Sequence, residues 1–216
     1  MVASANDPLP AAIERLAAPG ILIGYRPIMA GDECALLPEE VMASRHTKSR
    51  RASGAARIAA RELLARAGHG ICAIPKLPSG APLWPAEIVG SLAHDSDIAV
   101  AAIAPRRSFA NIGIDVEPAE ALPFELLNVI ATPLEQSALA SYRYGGRLLF
   151  AAKEAVYKAV AALDQVFLNH HDVEIDLLRR KALVRNGRTV ELRFCISTRL
   201  LALAFVRHAP QGRVIG

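Results

Sequence analysis

The chain has 216 residues, 52% of them hydrophobic, and a mean hydropathy of +0.26. These values predict a sizeable core, in one large domain or two small packed halves, and exclude long disorder. A net charge of +4 and a pI near 9.2 suit an anionic partner, which at this level is DNA, RNA, a nucleotide cofactor or an acidic protein.

The first ten residues carry Asp7, Pro8 and Pro10 and lack a basic region followed by an apolar stretch, so they do not read as a signal peptide. A helix is predicted from Pro10 to Ala17, stopped by Pro19-Gly20, and a strand from Ile21 to Pro27. Pro38 with Glu39 and Glu40 in a first turn predicts a second helix. A longer one follows from Arg51 to Ala67, with Ile58, Leu63 and Leu64 on its apolar side and Gly68 past its end. Arg45, Lys48, Arg50, Arg51, Arg57 and Arg61 form a basic stretch without an intervening acid. Such a run is either a solvated helix face or an anion contact. From Lys76 to Pro85 the prolines and Gly80 forbid regular structure.

Three strands follow, at Ile88–Leu92, Asp97–Ala104 and Asn111–Glu117. The longest strongly apolar run, Ile98–Ala104, fits a buried strand and falls far short of the roughly 20 residues that span a bilayer. The polar connection Pro105–Ser108 is the expected boundary between halves 1–107 and 108–216. Thr132-Pro133 starts a further helix and Gly146 precedes a long one, Arg147 to Leu163. The tail reads as strands Val173–Leu177, Ala182–Val184, Val190–Ile196 and Leu200–Val206; in the third, Val190, Leu192 and Phe194 alternate with polar residues. Cys34, Cys72 and Cys195 are odd in number and widely spaced. They predict reduced thiols in a cytoplasmic protein and no cysteine metal site.

Three clusters carry chemistry. Asp115-Val116-Glu117 ends an apolar run, and in a strand both carboxylates share a face while Val116 points into the core. Carboxylates this close repel unless a cation lies between them, and Mg²⁺, which takes oxygen ligands, is the natural one. Exposed acids at a strand end are the plain alternative. In the second cluster Leu149, Ala152, Val156 and Val160 form the buried stripe of a helix, and Glu154 and Lys158 share another face. They are either an ordinary surface ion pair or a phosphate site, the acid holding a metal and the lysine neutralising the phosphate. In Gly90-Ser91-Leu92-Ala93-His94 a histidine ends a strand, where it is structural, exposed, or a donor to a phosphate oxygen. The other histidines lack metal-ligand spacing.

Taken in order, Gly113-Ile114-Asp115-Val116-Glu117 and Phe150-Ala-Ala-Lys153-Glu154-Ala-Val-Tyr-Lys158 resemble the two-part signature of the phosphopantetheinyl transferase superfamily. Lys76-Leu-Pro-Ser-Gly-Ala-Pro82-Leu-Trp-Pro and Gly90-Ser-Leu-Ala-His94 resemble its coenzyme A loop and histidine motif. Trp84-Pro85 and Ala56-Arg57-Ile-Ala-Ala60-Arg61 are similar to the enterobactin-type branch. Ala93, Ala56 and Ser53 depart from the usual hydroxyl, glycine and aromatic residues.

The resemblance implies an α+β fold of two similar halves related by a pseudo-twofold, with coenzyme A between them. It assigns nucleotide and phosphate contacts to residues 1–107, and the metal and catalytic residues to 108–216. A carrier-protein serine would attack the β-phosphate of coenzyme A and release 3′,5′-ADP. Asp115, Glu117 and Glu154 would hold Mg²⁺, Lys158 would face the α-phosphate, and Glu154 would take the serine proton. Arg50, Arg57, Lys76, Ser91, His94, Lys153 and Lys158 would contact coenzyme A. The implied partners are an apo acyl or peptidyl carrier protein and coenzyme A, with no nucleic acid and no transmembrane segment. The protein would be a cytoplasmic monomer serving a siderophore or other secondary-metabolite pathway. A Mg²⁺-dependent phosphohydrolase, a basic nucleic-acid-binding module and a non-catalytic coenzyme A-binding relative are the rival readings of the same residues.

Overall fold

A computed structural model describes residues 8–40, 46–164 and 167–208; the reading of residues 1–7 and of Arg45 lies outside them. The elements in chain order are α1 (Leu9–Leu16), β1 (Leu22–Pro27), α2 (Thr47–Arg66), β2 (Ile88–His94), β3 (Ile98–Pro105), β4 (Phe109–Pro118), α3 (Phe124–Ile130), α4 (Pro133–Leu139), α5 (Gly145–Asp164), β5 (Val173–Asp176), β6 (Lys181–Val184), β7 (Thr189–Ile196) and β8 (Arg199–Arg207). Two antiparallel sheets result, ordered β1-β3-β2 and β4-β8-β7-β6-β5. The expected α+β class is the observed one, with a 20-residue helix against each sheet.

Strand alternation explains the layering. On β4, Ile112, Ile114 and Val116 enter one core with Val100, Ala102 and Ala104 of β3 and Leu201, Leu203 and Phe205 of β8. The opposite faces differ. Ala99, Ala101 and Ile103 of β3 meet residues of α2, whereas Ala202, Ala204 and Val206 of β8 meet Leu149, Ala152, Val156 and Val160 of α5. The sheets therefore stack between α2 and α5, and each buried leucine is worth about 2–5 kcal/mol against alanine. The helix α1 buries Leu9, Ile13 and Leu16 in the core between the sheets. Arg193 of β7 holds its end by donating to Ala17 O at 2.7 Å.

Two polar links fix the relation of β4 to its neighbours. It is the edge of its sheet, and its Ile114 N–H donates to Ser91 Oγ of β2 at 3.0 Å. On the helix side, Asn111 Nδ2 donates to Ala159 O at 2.9 Å.

Two expectations need correction. The helix expected at Pro38 is a single 3₁₀ turn, Pro38–Glu40. In it Glu40 folds inward and accepts from Leu37 N, Ile74 N and Arg61. The helix α3 has no counterpart in the sequence reading; Pro123 precedes it and offers no side-chain cap. By contrast α4 begins as expected at Thr132, with Thr132 and Glu135 forming a reciprocal capping box.

Candidate active site

Asp115 lies on the α5 side of β4 and is buried. Its Oδ1 accepts from Lys158 Nζ at 2.7 Å, and Lys158 also donates to Ile114 O at 3.2 Å. Its Oδ2 is buried with no hydrogen-bond partner among the described residues. Glu154 stands one turn before Lys158 on α5. It lies close enough to Asp115 for the two charges to interact, as does Glu117. The strand pair and the helix acid, 37 residues apart in sequence at their nearest, Glu117 to Glu154, therefore share one neighbourhood. Lys158 pairs with Asp115 rather than with Glu154.

Burial dominates the electrostatics of this cluster. Burial pushes the Asp115 carboxyl above its ordinary value, and Lys158 only partly opposes this. Glu154 is raised by burial and then by Asp115, with Lys158 and His170 opposing. Glu117 is raised by burial and by Asp115, against the pull of Arg147. Among the described residues, no three His, Cys, Asp or Glu side chains converge in a metal-holding arrangement. The reason is visible: Asp115 turns to Lys158, and Glu117 turns to Arg147 at 3.0 Å. A hard cation nevertheless fits the donor set, because the orphaned Asp115 Oδ2 and three mutually disfavoured carboxylates are what such an ion relieves.

The expected coenzyme A contacts separate into two groups. His94 ends β2, exposed, with Nδ1 3.2 Å from Asp95 O, and its charge reaches Asp115. Lys76 is exposed in the irregular loop, where it forms a lone bridge with Pro82. Arg50 is half-buried on α2 and its Nε has no partner. The second group is built into the scaffold. Lys153 is 2% exposed and donates to Ile130 O and His170 O, both at 2.7 Å, beside Glu135 at 2.8 Å. Burial lowers its pKa, with Glu135 opposing. Its ammonium has three protons and three oxygen partners, and it is turned away from the place expected of a phosphate contact. Arg57, 5% exposed, directs Nε to Ile74 O at 2.9 Å and Nη1 to Ser53. It holds the loop that leads to Lys76 instead of standing open to a nucleotide. The Ser91 hydroxyl is likewise taken up by Ile114 N–H in joining the two sheets.

Sequence reasoning missed three features. Arg147 joins Glu117, Glu120 and Ala121 O; a lone arginine at a helix start gives no signal. Arg199 of β8 pairs with Asp95 and Asp97, tying the second sheet to the turn after His94. A cavity of about 590 Å³ opens beside Glu154, lined by Val129, Tyr157, Phe167, Leu168 and His170 among others. Its walls come from α3, α5 and the 167–173 segment, which no local pattern connects.

Comparison with known proteins agrees with this arrangement. Residues 37–104 match the family model described as the 4'-phosphopantetheinyl transferase N-terminal domain. Residues 111–206 match that of the 4'-phosphopantetheinyl transferase superfamily. The chain is 40% identical over 140 residues to 4'-phosphopantetheinyl transferase Npt of Nocardia iowensis, covering 63% of each chain. It is 34% identical over 145 residues to 4'-phosphopantetheinyl transferase PptT of Mycobacterium tuberculosis, covering 64% of each. Enterobactin synthase component D of Escherichia coli is 37% identical over 84 residues, 36% of this chain and 39% of that one. The chain thus spans less than two thirds of the length of each of these relatives. One family model falls on the sheet that bears His94 and the other on the sheet and helix that bear Asp115, Glu154 and Lys158, and by these two matches the chain belongs to the 4'-phosphopantetheinyl transferase superfamily.

Proposed function

We propose that the chain transfers the phosphopantetheine group of coenzyme A to a serine of an apo acyl or peptidyl carrier protein and releases 3′,5′-ADP. The observation that carries this reading is the cluster of buried Asp115 with half-buried Glu117, Glu154 and Lys158, in which Asp115 Oδ2 has no partner among the described residues. Phosphoryl transfer asks little covalent chemistry of a protein and depends on alignment and charge neutralisation. The serine Oγ forms a bond to the β-phosphorus, the bond from that phosphorus to the bridging oxygen breaks, and the electron pair leaves on the α-phosphate of 3′,5′-ADP.

Each residue has a part that its surroundings support. The serine proton goes to a Glu154 carboxylate oxygen, whose raised pKa brings it nearer to the pH at which a base is most effective. Lys158 Nζ, which in the free chain serves Asp115, stabilises charge arriving on the α-phosphate. Asp115, Glu117 and Glu154 would hold Mg²⁺, which when bound supplies positive charge to the pyrophosphate oxygens. His94, Lys76 and the guanidinium of Arg50, whose buried Nε is unpaired among the described residues, contact the remaining phosphates. The pantetheine arm, whose gem-dimethyl and methylene groups suit apolar walls, lies in the cavity beside Glu154 against Tyr157, Phe167 and Leu168. In this reading residues 1–107 supply the nucleotide contacts, and 108–216 the metal and catalytic groups.

A siderophore or related secondary-metabolite pathway is supported by the likeness to an enterobactin synthase component. The three free cysteines suit the cytoplasm, and we take the protein to act there as a monomer. The test is direct. The pure chain, coenzyme A, Mg²⁺ and several apo carrier proteins are incubated, and mass spectrometry reads the carriers. Gain of one phosphopantetheine group on serine is the expected result. Release of 3′,5′-ADP with no carrier modified would instead identify a phosphohydrolase.

A further inference from the structure

We propose that Lys153 is a positioning residue, whose ammonium fixes the two backbone segments that wall the cavity beside Glu154 and thereby sets its grip on the pantetheine arm. The inference rests on the functional reading above and adds to it a residue that touches neither metal nor phosphate.

Neighbouring residues on a helix project about 100° apart. Glu154 faces the cluster of acids, while Lys153 turns into the protein. Its Nζ meets Ile130 O at 2.7 Å, where α3 ends, and His170 O at 2.7 Å, in the turn before β5. The third partner, Glu135 Oε2 at 2.8 Å, is itself bound by Thr132 N at 2.8 Å, and its Oε1 accepts from Ile175 N at 2.7 Å. One ion pair, each side chain 1% exposed, thus gathers α5, the junction of α3 and α4, the 170–172 turn and β5.

Those backbone segments are the cavity walls. Val129 precedes Ile130, and His170 is both an acceptor of Lys153 and a lining residue, together with Phe167 and Leu168. A buried ion pair adds little net stability over an apolar pair of equal volume. What it supplies is direction, because two carbonyl oxygens and one carboxylate must point at a single nitrogen. Without the ammonium those carbonyls turn away from the interior and carry the walls with them.

Coenzyme A and 3′,5′-ADP separate this role from a general one, since the second ligand lacks the arm. Two variants are needed, Lys153→Met and the double change Lys153→Met with Glu135→Gln, because the single change leaves a charged Glu135 buried. The expected result is a rise of about tenfold in KM for coenzyme A with a smaller change in kcat, while inhibition by 3′,5′-ADP stays within about twofold. Equal weakening of both ligands, or no change in either, overturns the proposal. On the unaltered chain, coenzyme A should slow hydrogen exchange in segments 129–135 and 167–173, and 3′,5′-ADP should not; equal protection by both refutes it. If the unaltered chain binds neither compound, the functional reading itself fails.

Discussion

A Cβ placed on Gly113 would lie 2.0 Å from the carbonyl oxygen of Ala155 and 2.7 Å from Ala159 N, so β4 and α5 meet backbone to backbone at this point. That approach sets Asp115, two residues on, against Lys158. Gly113→Ala should push the helix off the strand, with a loss of about 1–3 kcal/mol from overpacking. The melting temperature should fall and Mn²⁺ affinity should fall with it. A variant with unchanged Mn²⁺ binding would show that the contact does not set the site.

Glu154→Gln keeps the shape of the side chain and removes its charge. Transfer should fall by about a hundredfold or more, and Mn²⁺ followed by electron paramagnetic resonance should bind more weakly. The melting temperature should hold or rise, since a charge that burial and Asp115 disfavour is lost. Undiminished turnover would remove Glu154 from the reaction.

Asp115, Glu117 and Glu154 all keep their protons to higher pH than ordinary carboxyls do, chiefly because they are buried. In the metal-free chain these groups favour folding below the unfolded carboxyl range of about 4 and lose that contribution as pH rises through their raised values. A divalent ion needs the deprotonated oxygens, so its effect runs the other way. The rise in melting temperature caused by Mg²⁺ should therefore grow as the solution is taken from about pH 5 to 8, with proton release on binding. A Mg²⁺ effect independent of pH would contradict this.

His94 is exposed and borders the acidic cluster. His94→Ala should raise KM for coenzyme A more than it lowers kcat, which steady-state kinetics will read. The reverse pattern would give the imidazole a part in the chemistry.

Glu40 has no exposed side-chain surface, bridges Arg57 and Arg61, and binds Ile74 N at 2.7 Å. Glu40→Gln leaves two arginines without their counter-charge and should lower unfolding free energy by about 3–5 kcal/mol in urea titration. KM for coenzyme A should also rise, because the loop that bears Lys76 starts at Ile74.

Much of this architecture is written locally. The stripe Leu149, Ala152, Val156 and Val160 has helical spacing, and all four are buried on α5. Asp115 and Glu117 flank a buried Val116 because a strand alternates. What sequence leaves open is the target of a polar head group. Lys153, Arg57 and Ser91 sit in motifs that suggest ligand contact, and each is instead satisfied by a backbone group distant in sequence: Ile130 and His170, Ile74, and Ile114. Charge and hydrogen-bonding capacity are visible in one residue, but burial belongs to the whole fold. Glu40 shows the same limit from the other side, since acids in a first turn suit a helix dipole and this one serves two arginines.

The first helix also packs on strands from the other end of the chain, its Leu9, Ile13 and Leu16 sharing one core with Leu203 and Phe205 of β8. Severing the polypeptide within the 106–108 turn would strand that helix on one fragment and bare the surface it shields on the other. Each fragment alone should precipitate, and only the two produced together should reassemble.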